Sequence, residues 1–592
     1  MDSIGMILLL IYQIRNFKLM KKTTAFLSLL AIYLLIPALA AAQPANGMSG
    51  NIIHVDREME ERVDEVFSNF KDLTTPGASV AVMKGGEIIF QKGYGSANLE
   101  YDIPVTPATI FHVASVSKQF TAFAVLLLEE QGRLSMDDDI RKHIPEVPDF
   151  GVTITLRHLV THTGGMRDQW NLLAMSGWRL DDVITTEHAL RLISNQKELN
   201  FSPGEEFLYS NSGFTLLAEV VARVSGQSFA EFTMDHIFEP LQMTSTLFYD
   251  DHQKIVPNRA YSYHSGSSGF RKSILSYANV GATSLFTTAG DLMLWSMNLS
   301  SDNPKAGSAE MIARMNTPAI LNDGRAIEGA MGQFVNTHKG LHQIQHGGAD
   351  AGYRAYLGRF PDQDFSVAVL SNYAAANPGG RALRVADIFL EEYQSAPAEP
   401  DKETLPYEVV ELSPEQLKPL TGYFWNSRGK YSREISIKDN ELVFIRGGNS
   451  VKLSAVSENE FVLARGTSNL NVRFEELDGL PEMILTAADG EETVYEAYTP
   501  VEYSAGELAE FEGDYYSEEL ETTYRFKVRN GKLIADHFRH GESGLEAIKA
   551  DTFNGDQWFF RTIEFQRDAN GQIEGLHASS GRVRNLRFEK LQ

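Results

Sequence analysis

Five positions in the last third of the chain recur at a fixed offset of 91 residues: Leu417, Gly422, Leu442, Phe474 and Leu485 match Leu508, Gly513, Leu533, Phe565 and Leu576. Such a repeat requires two copies of one unit with equivalent cores. Both copies consist of short alternating segments between turn signals, with Asn440-Glu441 and Asn530-Gly531 at equivalent turns. Alternation with a period of two reads as strands buried on one side. Two copies are too few for a stacked solenoid. Each is therefore expected to close on itself as a small antiparallel β-barrel, lipocalin-like, over 411–500 and 501–592. A Pro- and charge-rich stretch from Ser395 to Tyr407 predicts a linker at 396–410. Neither copy carries a charge constellation that calls for catalysis.

The segment before the linker, 50–395, is organised differently. Val80 and Val82 alternate, Gly85-Gly86 turn the chain, and Ile88 and Phe90 alternate again, which predicts a hairpin over 78–93. From Ala114 to Glu130 the period becomes helical. Phe120, Phe123, Ala124, Leu127 and Leu128 share one face, Val125 and Leu126 fill the other side, and Gly132 is the stop. A helix apolar nearly all round belongs in a core. Another helix follows Tyr209, with Leu217, Val220, Val221 and Val224 on one face and Gly226 as its stop. Strands return at 353–360 and 365–371 around a Pro361-Asp362 turn, and a helix follows at 380–393. Strands at both ends with helices between them predict an α+β domain. One sheet is assembled from both ends of the segment and flanked by helices, with a helical insertion.

Composition narrows the function. The 592 residues carry 53 basic and 78 acidic side chains, a net charge of −25. Phosphate binding needs clustered Lys and Arg, so nucleic acid is not an expected partner. There is no cysteine, which excludes disulfides, a thiol nucleophile, thiolate zinc sites and iron–sulfur clusters. Met20-Lys21-Lys22 precedes an uncharged run from Thr23 to Ala42 that ends in the small-x-small patterns Ala38-Leu39-Ala40 and Ala40-Ala41-Ala42. Basic group, apolar run and cleavage pattern, in that order, read as a signal segment over 1–42. Pro37 and the small residues favour its removal over a stable transmembrane anchor. The protein is expected to be exported, periplasmic or secreted.

Three short strings carry chemistry. Ser115-Val116-Ser117-Lys118 opens the buried helix, with Ser115 and Lys118 on one face. A hydroxyl attacks only when a base takes its proton. Lys118 can be that base if it is neutral, and both burial and a helix N-terminus favour the neutral form. Tyr209-Ser210-Asn211 stands at the head of the second helix. A phenol near a Lys can relay a proton, and an amide can hold both the Lys and a substrate carbonyl. His346-Gly347-Gly348 precedes the last strand pair, where glycines permit close approach to the backbone. Each string has a competitor: Ser194-Asn195-Gln196-Lys197, Tyr277-Ala278-Asn279, and His162 and His264 each followed two residues later by Gly. His264 is the reserve for His346. His158 and His162 are four apart, as in helical zinc pairs, but Arg157 and Thr163 flank them where a Glu base or further ligand is wanted. No metal and no cofactor are expected.

Taken in order and context, residues 55–395 resemble the serine β-lactamase and penicillin-binding-protein-like hydrolases, in particular the class C β-lactamase-related branch with its D-aminopeptidase-like and esterase-like members. The likeness extends to Ile154 through Gly165, Phe201-Ser202-Pro203-Gly204 and Thr283 through Trp295. The resemblance implies a β-lactamase-like sheet flanked by helices. It implies Ser115 as the acylated nucleophile, Lys118 as its base, Tyr209 as proton shuttle and Asn211 as a substrate holder. His346 falls where many members have Lys. Gly348 lines the substrate site, and the amides of Ser115 and Ala349 form the oxyanion hole. His at 346 supplies only partial positive charge at neutral pH, so grip on a substrate carboxylate should be weaker. This ranks a general amide or ester hydrolase, acting on small molecules or on peptides that contain D-amino acids, above a β-lactamase. The rival from another class is a sensor that is acylated without turnover. The oligomeric state is open.

Overall fold

The computed structural model describes residues 55–394 and 409–592, apart from 447–448, 466–467, 478–479 and 488–489. The expected signal segment and nearly all of the expected linker lie outside the described residues. Strand β1 (Ala78–Lys84) is buried almost throughout, because it has a core on each side. It turns at Gly85-Gly86 into β2 (Glu87–Tyr94). The sheet is completed from the far end of the segment by β3 (Phe334–His338), β4 (Leu341–Asp350), β5 (Tyr353–Phe360) and β6 (Phe365–Ser371), in the order β3-β4-β5-β6-β1-β2. Every neighbouring pair is antiparallel, with Val80 opposite Val369 and Val82 opposite Val367. This is the α+β sheet expected from strands at both ends.

Side-chain alternation divides the two cores. Val80, Val82, Val367 and Val369 pack with Val63 and Val66 of helix α1 (Arg57–Val66) and Val385 and Phe389 of a helix near the C-terminal end, Pro378–Phe389. Ala81, Met83, Leu357 and Leu370 face the insertion and its central helix α2 (Ser117–Glu130). All residues of α2 from Ser117 to Leu128 are buried. Phe120 stacks on Trp295 at 4.4 Å, and the Trp295 indole donates to Gln119 Oε1 at 3.0 Å. Two more helices of the insertion matter for the site: α3 (Gln169–Met175) and α4 (Asn211–Ser225).

The repeat folds as expected into two closed eight-stranded antiparallel barrels, with strands spanning 422–498 and 513–590. The repeated residues Leu417, Leu442, Phe474 and Leu485, and their counterparts Leu508, Leu533, Phe565 and Leu576, are core residues in both. One detail differs. The first-copy turn is Asp439-Asn440, both with positive φ, one residue earlier than Asn440-Glu441; it matches Asn530-Gly531, both also with positive φ. Two successive left-handed residues make the two-residue turn that follows strand twist.

The second barrel is docked on the insertion. Leu172, Leu173 and Met175 of α3 share one core with the barrel's Tyr524, Phe560 and Phe588. The Tyr524 hydroxyl donates to the Met175 carbonyl at 2.9 Å. Arg167, wholly buried, pairs with Glu519 of the barrel at 2.6 Å. Removing one partner of a buried pair leaves an uncompensated charge and costs about 3–5 kcal/mol. Glu519→Ala is therefore expected to lower the unfolding free energy obtained from chemical denaturation by that margin. A loss under about 1 kcal/mol would mean that the pair behaves as an exposed one and apolar contact alone holds the barrel.

Candidate active site

Ser115 reaches the site through a strained approach. Strand residues Phe111–His112 end at Val113, and Ala114–Val116 form a 3₁₀ turn before α2 begins at Ser117, two residues after the serine. Ala114 has φ of +48°, a conformation that costs a non-glycine residue about 1–3 kcal/mol and persists only where its surroundings enforce it. Here the Ser117 hydroxyl donates to the Ala114 carbonyl and accepts from the Leu285 amide at 3.1 Å. The Val113 amide donates to the Leu285 carbonyl at 3.0 Å. Ser115 is thereby held half-buried at the entrance to α2.

Lys118 stands in the first turn of α2 and is 0% exposed. Its Nζ lies 3.2 Å from Ser115 Oγ, 2.8 Å from Asn211 Oδ1 and 2.8 Å from the Ala282 carbonyl. Burial lowers its pKa to about 7; the charges of Asp350 and Asp168 oppose the fall and Arg582 assists it. A neutral amine has two N–H donors and one lone pair. Asn211 Oδ1 and the Ala282 carbonyl take the two hydrogens, so the lone pair is left for the Ser115 proton.

Asn211, the first residue of α4, is fixed from behind by Asp168. One oxygen of Asp168 accepts from both the Asn211 amide and Asn211 Nδ2, each at 2.7 Å, while the other caps α3 by accepting from the Trp170 amide at 3.0 Å. Tyr209 lies over Lys118, with Nζ 4.8 Å from its ring centre. Its hydroxyl is buried without a partner in hydrogen-bonding geometry. Burial drives the phenol pKa well up, and the nearby Ser115 hydroxyl works against that rise. His162 stacks on the Tyr209 ring at 4.2 Å and accepts from the Ser210 amide at 3.1 Å. It holds the phenol ring in place.

The third string lies on β4. His346 is 3% exposed, and its ring is 6.1 Å from that of Tyr209. Nδ1 donates to the Gly347 carbonyl at 2.6 Å, which leaves Nε2 as a buried acceptor without a partner. Burial and the Lys118 charge lower its pKa to about 3. The partial positive charge expected for His346 is thus absent at neutral pH, because the ring is buried beside an amine. Gly348 explains how the strand comes so near: a Cβ there would sit 2.1 Å from the Val113 carbonyl oxygen and 3.2 Å from Ala114 Cβ. Ala349 follows on the same strand, opposite Arg354. Gly348→Ala is expected to push β4 off the Ser115 turn and to reduce kcat/KM by at least about 100-fold, the scale for losing one oxyanion donor. Near-normal turnover with an unchanged fold would show that β4 need not touch this turn.

The competing strings are employed elsewhere. Lys197 pairs with Glu518 at 2.9 Å, and Tyr277 stacks on Trp170 at 4.6 Å. His264 bonds Ser273 at 2.7 Å, and His158 completes the cap of its own short helix with Thr155. Three contributors were missed by sequence reasoning. Asp168 carries no motif of its own. Asp350, held by His112 at 2.9 Å and by Thr283, ends β4. Arg582 comes from the second barrel and lies 4.8 Å over the Tyr209 ring.

The family model described as Beta-lactamase matches residues 56–390. The chain belongs to the Beta-lactamase family. Among curated relatives of this family member, the D-aminopeptidase of Gluconobacter oxydans (strain 621H) is 29% identical over 331 residues, 56% of this chain and 61% of that protein. Protein flp of Staphylococcus aureus (strain MW2) is 28% identical over 305 residues, 50% of this chain and 59% of that protein. The match thus spans about three fifths of these relatives' length. A penicillin-binding protein homologue from Pyrococcus abyssi, described as octameric, has the same fold at a TM-score of 0.51 and 24% identity, over 74% of this chain and 99% of that one.

Proposed function

We propose that the chain is an exported hydrolase that opens amide or ester bonds through an acyl-enzyme on Ser115. The observation that carries the reading is the Lys118 amine, buried with two carbonyl acceptors and the Ser115 hydroxyl as its third neighbour. Ser115 Oγ attacks the carbonyl carbon as its proton passes to Lys118. The oxyanion is received by the amides of Ser115 and Ala349. The C–N or C–O bond breaks as the Tyr209 hydroxyl gives its proton to the leaving group, and Lys118 restores that proton. Water then attacks the acyl carbon, yields its proton to the Tyr209–Lys118 pair, and the acid leaves as Ser115 regains its hydrogen.

The uncharged His346 supplies no cation of its own to a substrate carboxylate. The relative named D-aminopeptidase supports peptides that contain D-amino acids as the substrate class. The test is a side-by-side screen of L- and D-aminoacyl anilides, short acyl esters and nitrocefin, with deacylation followed by mass. Turnover of D-aminoacyl anilides or esters well above nitrocefin is expected. Nitrocefin turnover equal to ester turnover would favour a β-lactamase, and an adduct that never discharges would favour a sensor. Cell fractionation tests export, and accumulation of the unprocessed chain in the cytoplasm would refute it.

A further inference from the structure

The second barrel ends in a two-residue turn, Gly581-Arg582, between its last strands Ile573–Ser580 and Val583–Lys590, with Ser580 paired to Val583. Gly581 has φ of +53°, the left-handed conformation that such a tight turn requires. The turn is clamped to the hydrolase domain through its backbone. The Arg582 carbonyl accepts from the Asp168 amide at 3.2 Å and from Asn200 Nδ2 at 2.9 Å. The side chain is left free to do something else. Its guanidinium lies 4.8 Å over the Tyr209 ring and 3.9 Å from Asp168 Oδ2, beyond hydrogen-bond reach, and remains 44% exposed. Asp168 spends its oxygens on the Asn211 amide, Asn211 Nδ2 and the Trp170 amide. It aims the cation without occupying its donors.

An aimed guanidinium with unspent N–H groups, planar and always charged, is built for a carboxylate. His346, buried and neutral, cannot supply that charge. We propose that Arg582, delivered by the second barrel, binds an anionic group, a carboxylate, on the leaving-group side of the scissile bond. The side is set by its seat on Tyr209, the phenol that serves the leaving group. The inference rests on the hydrolase reading above and adds a specificity residue to it. It also gives the second barrel a function at the site.

The experiment uses the full chain and two esters of one acyl group, the m-carboxyphenyl and the m-carbamoylphenyl ester, which differ only in charge. The wild type is expected to prefer the carboxylate ester at least tenfold in kcat/KM. Arg582→Ala should bring the ratio of the two esters near one, whatever it does to the rate common to both, and Arg582→Lys should retain part of the preference. Because the docking hydrogen bonds use the backbone carbonyl, both variants should keep the wild-type melting temperature. Equal loss on both esters, an unchanged ratio, or no preference in the wild type would overturn the proposal. If the wild type cleaves neither ester, the hydrolase reading fails by itself. Calorimetric binding of the two intact esters to the Ser115→Ala chain, with and without Arg582→Ala, then decides the question of the anion. Tighter binding of the carboxylate ester only when Arg582 is present supports the assignment; equal binding overturns it.

Discussion

Replacing Ser115 by alanine should abolish both hydrolysis and labelling by acylating probes while leaving the fold intact. Ser115 sits half-buried on a turn that is held by Ser117 and Leu285, not by its own hydroxyl. Its one polar tie among the described residues in hydrogen-bonding geometry is to Lys118, so an alanine leaves the neighbouring backbone undisturbed. Loss of a serine nucleophile typically costs about 10⁶-fold in kcat, and a drop of at least about 10⁴-fold is expected. The check is turnover of the best substrate from the screen, with the melting temperature as control. Residual turnover within tenfold of wild type would place the nucleophile elsewhere.

The second large effect is the dependence of kcat/KM on pH. Burial lowers the Lys118 pKa from its ordinary value near 10.5 to about 7. The base is therefore protonated and idle below that pH and free above it, so activity must rise as pH passes through 7. His346 adds no second limb, because its pKa has fallen to about 3. Tyr209 is pushed up, so its proton stays in place beyond the range of its free phenol. The expected profile climbs between pH 6 and 8, by close to the tenfold per unit of a single proton on the acid side, and then stays level to about pH 10. Lys118→Met should remove most activity, about 10²–10⁴-fold for a lost general base, and the residual rate should lack the rise at 7. A wild-type profile flat from pH 5.5 to 9 would contradict a neutral-lysine mechanism.

The elements most legible in the sequence were those whose signals are local. Gly85-Gly86 between alternating valines and aromatics gave the hairpin, and the apolar run after Ser117 gave the buried helix. Equal residues 91 apart gave two equivalent barrels because the repeated leucines and phenylalanines are their cores. The three strings were individually ambiguous, and their order and surroundings chose Ser115, Lys118, Tyr209, Asn211 and His346, which the fold brings together. What stayed hidden depends on contacts between distant residues. Asp168 meets Asn211 across 43 positions, with no pattern that links them. The charge state of His346 follows from burial beside Lys118, which only the assembled site creates. Arg582 lies in an ordinary hairpin turn of a barrel, and its importance comes from where that barrel docks. The start of α2 at Ser117 and the turn at Asp439-Asn440 moved by one or two residues, as element ends do when caps and turn conformations decide them.

The proposed reaction passes through a covalent intermediate at one hydroxyl. The most direct measurement is peptide mapping by mass spectrometry after the wild-type chain has been quenched during turnover of an ester substrate. One acyl group per chain on Ser115, absent from Ser115→Ala, is the expected result. An acyl group on Ser117, on another serine or on no residue while turnover proceeds would contradict it.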